Sequence, residues 1–230
     1  MALDFSSAEP GSIRRMFARI APRYDLANTL LSLGQDHSWR RQVTREVARW
    51  SPLRILDVAT GSGALAAEIR RVVPNASLLG VDFCLPMLDL ARRRGLEYLL
   101  VADGLALPFR NQVFDVVTIA FGLRNMASLG AALREMARVL RPGGHILILD
   151  FSLPDLPLRA LYRLYLHRVL PWLAGALTGE PDAYRYLGGS IEEFPRGSAM
   201  IDLIEQAGFR QGRARPLSGG VVSVYTAERV

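Results

Sequence analysis

The sequence predicts an α/β fold with a seven-stranded, mostly parallel sheet and helices on both faces. The first observation is that, from residue 54 onward, apolar runs of strand length alternate with amphipathic stretches of helix length. The second is that these runs are apolar along nearly their whole length, which is typical of parallel strands buried on both faces. The third is the length of 230 residues, which is enough for one α/β domain with a full core.

Seven apolar runs are expected to form the strands. In chain order they are 54–59, 77–82, 97–103, 114–121, 145–151, 209–215 and 220–228. Helices are expected at 64–73, 86–94, 129–140 and 197–207. The motif "RPGG" after residue 140 and the turn "SGG" before residue 221 separate elements, because glycine and proline disfavour continued helix or strand.

Two further segments lie outside this alternation. The N-terminal segment is expected to be a helical cap, with apolar residues on one face and arginines on the others. An aromatic, basic insertion interrupts the alternation and is expected to be either a lid over a site or a structural helical pair. The predicted parts of the single domain 1–230 are the cap (12–50), the core (54–151), the insertion (155–195) and the C-terminal part (196–230).

The composition is that of an ordinary globular protein, with 50% hydrophobic and 22% charged residues. The net charge of +6 and the pI near 10.1 suit an anionic partner and leave open whether it is a nucleic acid, a membrane surface or a ligand. The single cysteine, Cys84, and three scattered histidines indicate neither an internal disulfide nor a metal site. We expect a cytoplasmic protein, because no signal-peptide pattern and no uncharged stretch of membrane-spanning length occurs.

A glycine-rich turn follows the first predicted strand, in "LDVATGSGAL" (56–65). Gly61 and Gly63 permit positive φ and close approach of a ligand, and the next helix offers free N–H groups to an anionic group. Dinucleotide-binding folds have a similar turn, but their fingerprint has a glycine where Ala66 stands. Asp57 is a stronger difference, because those folds usually have an apolar residue there. An acid at this position can hold a cationic amino group or order the turn.

Two more acids end the next two predicted strands. Asp82 is placed to accept both hydroxyls of a ribose, and Asp103 to accept the exocyclic amine of an adenine beside the N–H of Gly104. Each acid alone also fits a helix cap or a turn. Three acids at the carboxyl edge of one sheet indicate a ligand site, because ligands of open α/β sheets bind at that edge.

Four longer motifs carry a family resemblance: "LDVATGSG", "GVDFCLPML", "FDVVTIAFGLRN" and "LREMARVLRPGGHILILDFS". Together they resemble the class I S-adenosylmethionine-dependent methyltransferases, which have a Rossmann-like fold. The motifs "FGLRN" (121–125) and "YRYLGGSIEEFP" (184–195) are similar to those of the ubiquinone/menaquinone-biosynthesis C-methyltransferase family (UbiE/MenG type). The resemblance runs from about residue 17 to about residue 222.

This resemblance implies S-adenosylmethionine as the cofactor and no metal ion. The implied cofactor residues are Asp57, Thr60, Gly61, Ser62, Gly63, Asp82, Phe83, Met87, Asp103, Gly104 and Ala120. They cluster after the first, second, third and fourth predicted strands, which are expected to end at one edge of the sheet.

The resemblance also implies an acceptor, a polyprenyl quinol (demethylmenaquinol or a related benzoquinol) methylated at a ring carbon beside a hydroxyl. The implied catalytic residues are Arg124, Asn125, Tyr24, Asp25 and Asp150. Arg124 stays protonated, so we expect it to stabilise a developing phenolate or to hold a water, while Asn125 orients the same oxygen. Asp25 and Asp150 are the candidate bases. An ion pair of Arg124 with either acid, and a Tyr24 ring that only packs, are the open alternatives.

Several positions depart from the family pattern. In "YDLANTLLSLGQDHSW" (24–39), Ala27 replaces a usual methionine and Asp36 a usual histidine. Arg141 and Asp150 stand where lysine and glutamate are usual, and the usual His-Arg-Gly after the C-terminal glycine pair is absent. A methyltransferase for another small aromatic or lipid acceptor is therefore the alternative function.

Two other functions are disfavoured by the motifs. A nucleic-acid methyltransferase would want an N-P-P-[YF]-like motif after the fourth strand, where "AFGLRN" stands, so no nucleic-acid partner is expected. A nicotinamide-dependent oxidoreductase is disfavoured by Asp57 and Asp103.

Residues 155–177 are expected to form an apolar wall for a polyprenyl tail, and their arginines suggest peripheral contact with the inner face of the cell membrane. A homodimer is a further hypothesis.

Overall fold

The computed structural model describes residues 10–172 and 180–230. Its strands are β1 (Arg54–Val58), β2 (Ser77–Asp82), β3 (Leu99–Val101), β4 (Phe114–Ala120), β5 (Leu140–Phe151), β6 (Phe209–Leu217) and β7 (Val222–Arg229). They form one seven-stranded sheet in the order β3-β2-β1-β4-β5-β7-β6. Neighbouring strands pair in parallel except at β7, which runs antiparallel to β5 and β6. The predicted α/β sheet is confirmed.

Helices cover both faces of the sheet. They are α1 (Pro10–Ile20), α2 (Tyr24–Leu31), α3 (Gln35–Arg49), α4 (Ala64–Val72), α5 (Leu85–Arg93), α6 (Leu129–Val139), α7 (Leu158–Leu164), α8 (Pro181–Glu193) and α9 (Ser198–Gln206). A 3-10 turn (Ala21–Arg23) joins α1 to α2, and a π-helical turn (Tyr165–Val169) extends α7. Of the helices in the described residues, none is long and apolar enough to cross a membrane.

Among the described residues, one apolar cluster packs against each face of the sheet. Consecutive strand residues contribute to opposite clusters, because side chains alternate along a strand. Leu56 and Val117 pack with α6 and α9 on one face, whereas Ile55 and Val116 pack with α3 and α4 on the other. All four side chains are at most 1% exposed, as the continuous apolar runs of the sequence predict.

β5 begins at Leu140, five residues earlier than the predicted 145, and β3 is shorter than its predicted run. The helix before β5 ends as expected, but the "RPGG" segment enters the sheet at once as an irregular strand. Gly143 has a φ of +73°, and a Cβ added to Gly144 would lie 2.9 Å from the carbonyl oxygen of Arg141 and 3.0 Å from that of Asp115. The glycine pair therefore lets this segment approach β4 closely, instead of separating it from the sheet.

The cap connects the insertion to the sheet. Met16 and Ile20 of α1 pack with Leu166 of the insertion, whereas Ala21 of the following turn packs with Met87 of α5. The helical character predicted for residues 12–50 agrees with α1, α2 and α3. The division of the chain into parts stays a prediction, and residues 173–179 of the insertion lie outside the described residues.

Candidate active site

Asp57 lies beneath the glycine turn. It is 1% exposed, and its two carboxylate oxygens accept hydrogen bonds from the Thr60 and Thr118 hydroxyls, both at 2.6 Å. Burial raises the pKa of the Asp57 carboxyl to about 6, although these two hydrogen bonds oppose the increase. Of the two roles that the sequence leaves open for this acid, its contacts match the ordering of the glycine turn.

Asp82 holds the same turn from the end of β2. Its carboxylate accepts the backbone N–H of Gly61 at 2.8 Å and that of Cys84 at 2.9 Å. Burial raises the pKa of the Asp82 carboxyl, and the backbone N–H groups oppose that increase. Gly61 has a φ of +56°, and a Cβ added there would meet no atom within 4 Å. The backbone of the turn is therefore open to a ligand at Gly61.

The third acid follows β3 and faces solvent. Asp103 is exposed, and its carboxylate accepts the backbone N–H of Leu105 at 2.9 Å. A Cβ added to the neighbouring Gly104 would lie 2.5 Å from Cε of Met126. Glycine at this position therefore allows the chain after β3 to approach the segment after β4.

A cleft lies at this edge of the sheet, and its empty space, open solvent included, is about 870 Å³. The predicted cofactor residues in its lining are Gly61, Asp82, Phe83, Met87, Asp103, Gly104 and Ala120. The lining combines two acids with apolar side chains such as Phe17 and Leu105. This combination fits an adenosine group, because carboxylates accept hydrogen bonds from hydroxyl and amine groups, while apolar side chains cover the base.

Four predicted cofactor residues do not line the cleft, as far as the described residues show. They are Asp57, Thr60, Ser62 and Gly63. The Ser62 hydroxyl donates a hydrogen bond to Asp25 at 2.6 Å, which ties the turn to the cap. A Cβ added to Gly63 would lie 2.5 Å from Cδ1 of Leu96 and 2.9 Å from Cβ of Ala91. These residues support the turn from behind, and glycine at 63 allows close packing next to α5.

A second cavity adjoins the cleft, and its empty space, open solvent included, is about 570 Å³. The two linings share Phe17, Tyr24, Phe121 and Asn125, so the two spaces meet at these side chains. The apolar part of the second lining comes from the cap, the sheet edge and α8, and includes Met16, Ile20, Phe151, Ala183 and Leu187. Two adjacent spaces that meet at a few side chains suit the transfer of a group from one bound molecule to another.

Arg124 lies in a 3-10 turn (Leu123–Asn125) after β4, and its side chain is 6% exposed. Its Nη1 donates hydrogen bonds to the Asp150 carboxylate at 2.7 Å and to the Phe121 carbonyl at 2.6 Å. Its Cζ lies 5.2 Å from the centre of the Phe151 ring. Of the two ion pairs that the sequence leaves open, the structure forms the one with Asp150.

Two buried polar atoms of this turn, Arg124 Nε and Asn125 Oδ1, have no hydrogen-bond partner among the described residues. Each buried group left unpaired costs about 1–3 kcal/mol. Arg124 and Asn125 both line the second cavity. A hydroxyl group of a bound molecule can satisfy both atoms, because it accepts one hydrogen bond and donates another.

Tyr24 and Asp25 are adjacent in the chain but contact different groups. The Tyr24 ring lines both spaces and lies edge-on to Phe17, with 6.1 Å between ring centres. Burial raises the pKa of the Tyr24 phenol, although the charge of Arg124 and a hydrogen bond with Asn28 oppose the increase. Asp25 instead accepts a hydrogen bond from Ser62 and forms an ion pair with Arg94. The structure thus brings Tyr24, but not Asp25, into the second cavity.

Sequence reasoning missed three polar residues of the second cavity: Asn28, Asp36 and Arg40. The available signals were helical spacings, because Asn28 follows Tyr24 by four residues and Arg40 follows Asp36 by four. Asp36 stands out in the sequence only as a departure from the family pattern. Such spacings predict shared helix faces but do not show which face meets the end of β4.

The fold is that of the class I S-adenosylmethionine-dependent methyltransferases. The fold is similar to that of a methyltransferase from Thermotoga maritima, with a TM-score of 0.69, 18% identity and coverage of 94% of this chain and 99% of that one. It is also similar to a phosphoethanolamine N-methyltransferase from Haemonchus contortus solved with S-adenosylhomocysteine. There the TM-score is 0.57 at 14% identity, over 76% of this chain and 48% of that one.

Within this class, the chain belongs to the ubiE/COQ5 methyltransferase family, whose model matches residues 6–229. It is 47% identical to the demethylmenaquinone methyltransferase of Thermus thermophilus, over 93% of this chain and 100% of that protein. It is 45% identical to the ubiquinone/menaquinone biosynthesis C-methyltransferase UbiE of Syntrophotalea carbinolica, over 94% of this chain and 93% of that protein. The predicted family, enzyme class and cofactor are confirmed.

Proposed function

We propose that this enzyme methylates a ring carbon of a polyprenyl quinol, demethylmenaquinol or a related benzoquinol, in menaquinone or ubiquinone biosynthesis. The observation that carries the proposal is the second cavity, in which unpaired atoms of Arg124 and Asn125 lie next to the cofactor cleft. The names of the relatives supply the class of acceptor. In this proposal the cleft holds the cofactor and the second cavity holds the quinol ring.

Arg124 and Asn125 activate the acceptor oxygen. A phenol has a pKa of about 10 and is a poor carbon nucleophile, but loss of its proton moves negative charge onto the ortho carbon. The guanidinium of Arg124 stabilises the developing phenolate, and the carbonyl of Asn125 orients the hydroxyl before it loses its proton. When bound, S-adenosylmethionine supplies an electrophilic methyl group on a sulfonium. Tyr24, which lines both spaces, positions the ring against the cleft.

Asp150 positions Arg124 rather than acting directly on the acceptor. Its side chain is fully buried, and its carboxylate accepts the backbone N–H of Phe151 at 2.8 Å and that of Arg124 at 3.3 Å, besides the guanidinium. In the described part of the chain, the lining of the second cavity includes neither Asp150 nor Asp25. We therefore propose that Asp25 holds the cap against the glycine turn. In this proposal, water held near Arg124 accepts the proton of the acceptor hydroxyl.

The experiment that tests this function is methyl transfer from methyl-labelled S-adenosylmethionine to reduced demethylmenaquinone. We expect a product with one labelled methyl group on a ring carbon, identified by mass spectrometry and NMR. Label on oxygen, or no transfer to the quinol under conditions in which S-adenosylmethionine binds, would contradict the proposal.

A methyltransferase for another small aromatic or lipid acceptor is the second candidate. Asp36 favours it, because this departure from the family pattern lies in the second cavity, which is proposed to hold the acceptor and is called the acceptor cavity below. A panel of prenylated and unprenylated phenols, assayed beside reduced demethylmenaquinone, separates the two. Higher kcat/KM for a phenol outside the quinol class would support this candidate.

We further propose that the insertion contacts an anionic lipid surface at the inner face of the cell membrane. Its helix α7 and the following turns bury Leu166 and Leu170 but expose a row of large apolar side chains. These exposed residues are Leu156, Leu158, Leu161, Leu164, Val169 and Trp172. Arg168, among them, supplies positive charge, whereas Arg159 and Arg163 also pair with acids of the protein. A polyprenyl acceptor held in the bilayer would reach the cavity from this side.

Co-sedimentation with anionic phospholipid vesicles tests this contact. We expect Leu161→Asp/Trp172→Asp to lower the bound fraction several-fold, whereas Leu53→Asp, at an exposed leucine near the start of β1, leaves it unchanged. Charge reversal at Arg159, Arg163 and Arg168 should also weaken vesicle binding, and the loss should be larger at low salt than at high salt. Equal binding by all variants would contradict the proposal.

A cytoplasmic location and a homodimer remain predictions. Cell fractionation tests the location, and light scattering tests the oligomeric state.

A further inference from the structure

We infer that Asp36 binds the second hydroxyl of a para-dihydroxy aromatic acceptor, and so selects the quinol over its oxidised quinone and over phenols with a single hydroxyl. The inference rests on the proposed function and names what the acceptor cavity recognises at its second polar site. Asp36 lies in α3, outside the motif "FGLRN" and its turn.

Besides Asn28, Arg124 and the tyrosines of α8, two groups of polar side chains line the acceptor cavity. One, formed by Tyr24 and Asn125, also lines the cofactor cleft. The other, formed by Asp36 and Arg40, lines the acceptor cavity but is not part of the described lining of the cleft. Most of the other residues in this lining are aromatic or aliphatic, so a ring with one oxygen at each group fits the composition of the cavity.

Asp36 is 4% exposed and retains capacity to accept a hydrogen bond. Within the described residues it accepts three side-chain hydrogen bonds, from Arg40 Nη2 at 2.6 Å, from the Ser32 hydroxyl at 3.2 Å and from the Thr29 hydroxyl at 3.4 Å. An ionised carboxylate has about four acceptor positions, so one remains for a ligand. The donors of Arg40 are more fully used, because its Nε also donates to Glu68 at 3.2 Å.

The surroundings keep Asp36 ionised. Burial would raise its pKa, but the charge and hydrogen bond of Arg40, together with His37 and Ser32, outweigh burial and lower the pKa below its ordinary value. An ionised carboxylate can only accept hydrogen bonds, whereas the histidine usual in the family at this position can also donate.

This chemistry distinguishes oxidation states of the acceptor. A quinol hydroxyl donates a hydrogen bond to the carboxylate, whereas a quinone carbonyl oxygen has no proton to donate and is repelled by the buried negative charge. A phenol without the second hydroxyl leaves that acceptor position without its partner. Since only the reduced ring carries the hydroxyl that Arg124 is proposed to activate, Asp36 would keep the unreactive form out of the cavity.

The test compares two acceptors and two variants. The acceptors are 2-prenylnaphthalene-1,4-diol and 3-prenyl-1-naphthol, which keeps the hydroxyl beside the reacting carbon but lacks the other one. For the wild type, we expect a kcat/KM at least about tenfold higher for the diol, as a hydrogen bond to a charged group implies. Asp36→Asn should lose most of this preference by losing activity on the diol, with little change for the naphthol. Competitive inhibition by the matching quinone should become stronger in Asp36→Asn.

The control variant is Glu68→Gln, which removes the other carboxylate on Arg40 from outside the described lining of the cavity and should keep the wild-type preference. If Asp36→Asn does not fold, the double variant Asp36→Asn/Arg40→Gln leaves no unpaired buried charge and serves instead. An unchanged preference in these variants, or equal wild-type activity on both acceptors, would overturn the role of Asp36 alone. No transfer by the wild type to either acceptor would overturn the proposed function together with this inference.

Discussion

At the scale of single residues, Arg124 shows how one side chain can serve structure and chemistry together. A guanidinium that is 6% exposed requires a partner, because an isolated buried charge is strongly disfavoured. The pair with Asp150 satisfies this requirement through Nη1 and leaves Nε unpaired at the acceptor cavity. The ion pair and the proposed contact with the acceptor are therefore compatible.

The first prediction concerns Arg124→Lys. Lysine keeps a positive charge for Asp150 but loses the donor that Nε presents to the cavity, so we expect turnover to fall about 100-fold or more, as for loss of a transition-state donor. Binding of S-adenosylhomocysteine, measured by calorimetry, should change by less than about threefold, since that ligand is expected in the cleft.

The matched control is Arg141→Lys, at an arginine that also pairs with a buried aspartate but lies at the start of β5. It should leave turnover unchanged. Turnover by Arg124→Lys near the wild-type level would show that this side chain does not contact the reacting oxygen.

A second residue-scale prediction follows from the pKa of Asp57. Because burial raises this pKa from 3.8 to about 6, the folded protein binds the proton more tightly than the unfolded chain does. The charged carboxylate therefore costs stability as the pH rises from about 4 to about 7, by up to about 3 kcal/mol. Asp57→Asn removes this titration, so its unfolding free energy relative to wild type should increase over that range. Urea unfolding at several pH values measures the difference, and parallel curves would contradict the prediction.

At the scale of elements, the N-terminal cap forms one wall of both spaces. Phe17 and Tyr24 line the cleft and the acceptor cavity, although α1 and α2 lie outside the alternation of strands and helices. Asp25 links this wall to the sheet through Ser62 of the glycine turn and Arg94 after α5. Because Asp25 and Arg94 are each more than a third exposed, their ion pair contributes little to overall stability and is better suited to placing the cap.

The third prediction separates two roles for Asp25 by steady-state kinetics. If Asp25 holds the cap, Asp25→Asn should raise the KM for S-adenosylmethionine about five- to tenfold with a smaller change in kcat, since a weakened wall lowers binding. Ser62→Ala should give the same pattern, because it removes the other half of the same hydrogen bond. If turnover instead fell at least about 100-fold in Asp25→Asn alone, with KM unchanged, Asp25 would be identified as the base.

At the scale of the whole molecule, the site is assembled from segments that are far apart in the sequence. The cap supplies Tyr24 and Asp36, the sheet edge supplies Asp82 and the "FGLRN" turn, and α8 closes the acceptor cavity with Tyr184 and Leu187. Ligands at such a junction stabilise the folded state as a unit, because the unfolded chain has no site for them.

The fourth prediction uses this linkage. S-adenosylhomocysteine at about 100 times its Kd should stabilise the protein by about 2.7 kcal/mol and raise the Tm by about 5–10 °C. NADH should give no shift. Because Asp103 is exposed and its carboxylate accepts a hydrogen bond from Leu105 of its own loop, Asp103→Asn should keep the unliganded Tm within about 1 °C but reduce the shift. Stabilisation by NADH, with none by S-adenosylhomocysteine, would contradict the assignment of the cleft.

The sequence supports prediction of those features that depend on local pattern. Alternating apolar runs predict the strands, and the "GSG" turn with acids at strand ends predicts a ligand site at one edge of the sheet. Seven of the eleven predicted cofactor residues line the cleft. Gly63 and Asp57 do not line it. Glycine also permits close packing, and aspartate also accepts buried hydrogen bonds. Sequence spacing does not distinguish these uses from ligand binding.

The α/β sheet, a ligand site at one edge of that sheet and a cation after β4 can all be inferred from the sequence alone. The pairing of that cation with Asp150, rather than with Asp25, depends on the folded arrangement, since both acids are distant from Arg124 in the chain. The parallel register of β4 and β5 pairs Ala120 with Leu149 and so brings the two following segments together. The packing of α3 likewise places Asp36 in the lining of the acceptor cavity. Such contacts depend on strand register and helix packing, which residues far apart in sequence set jointly.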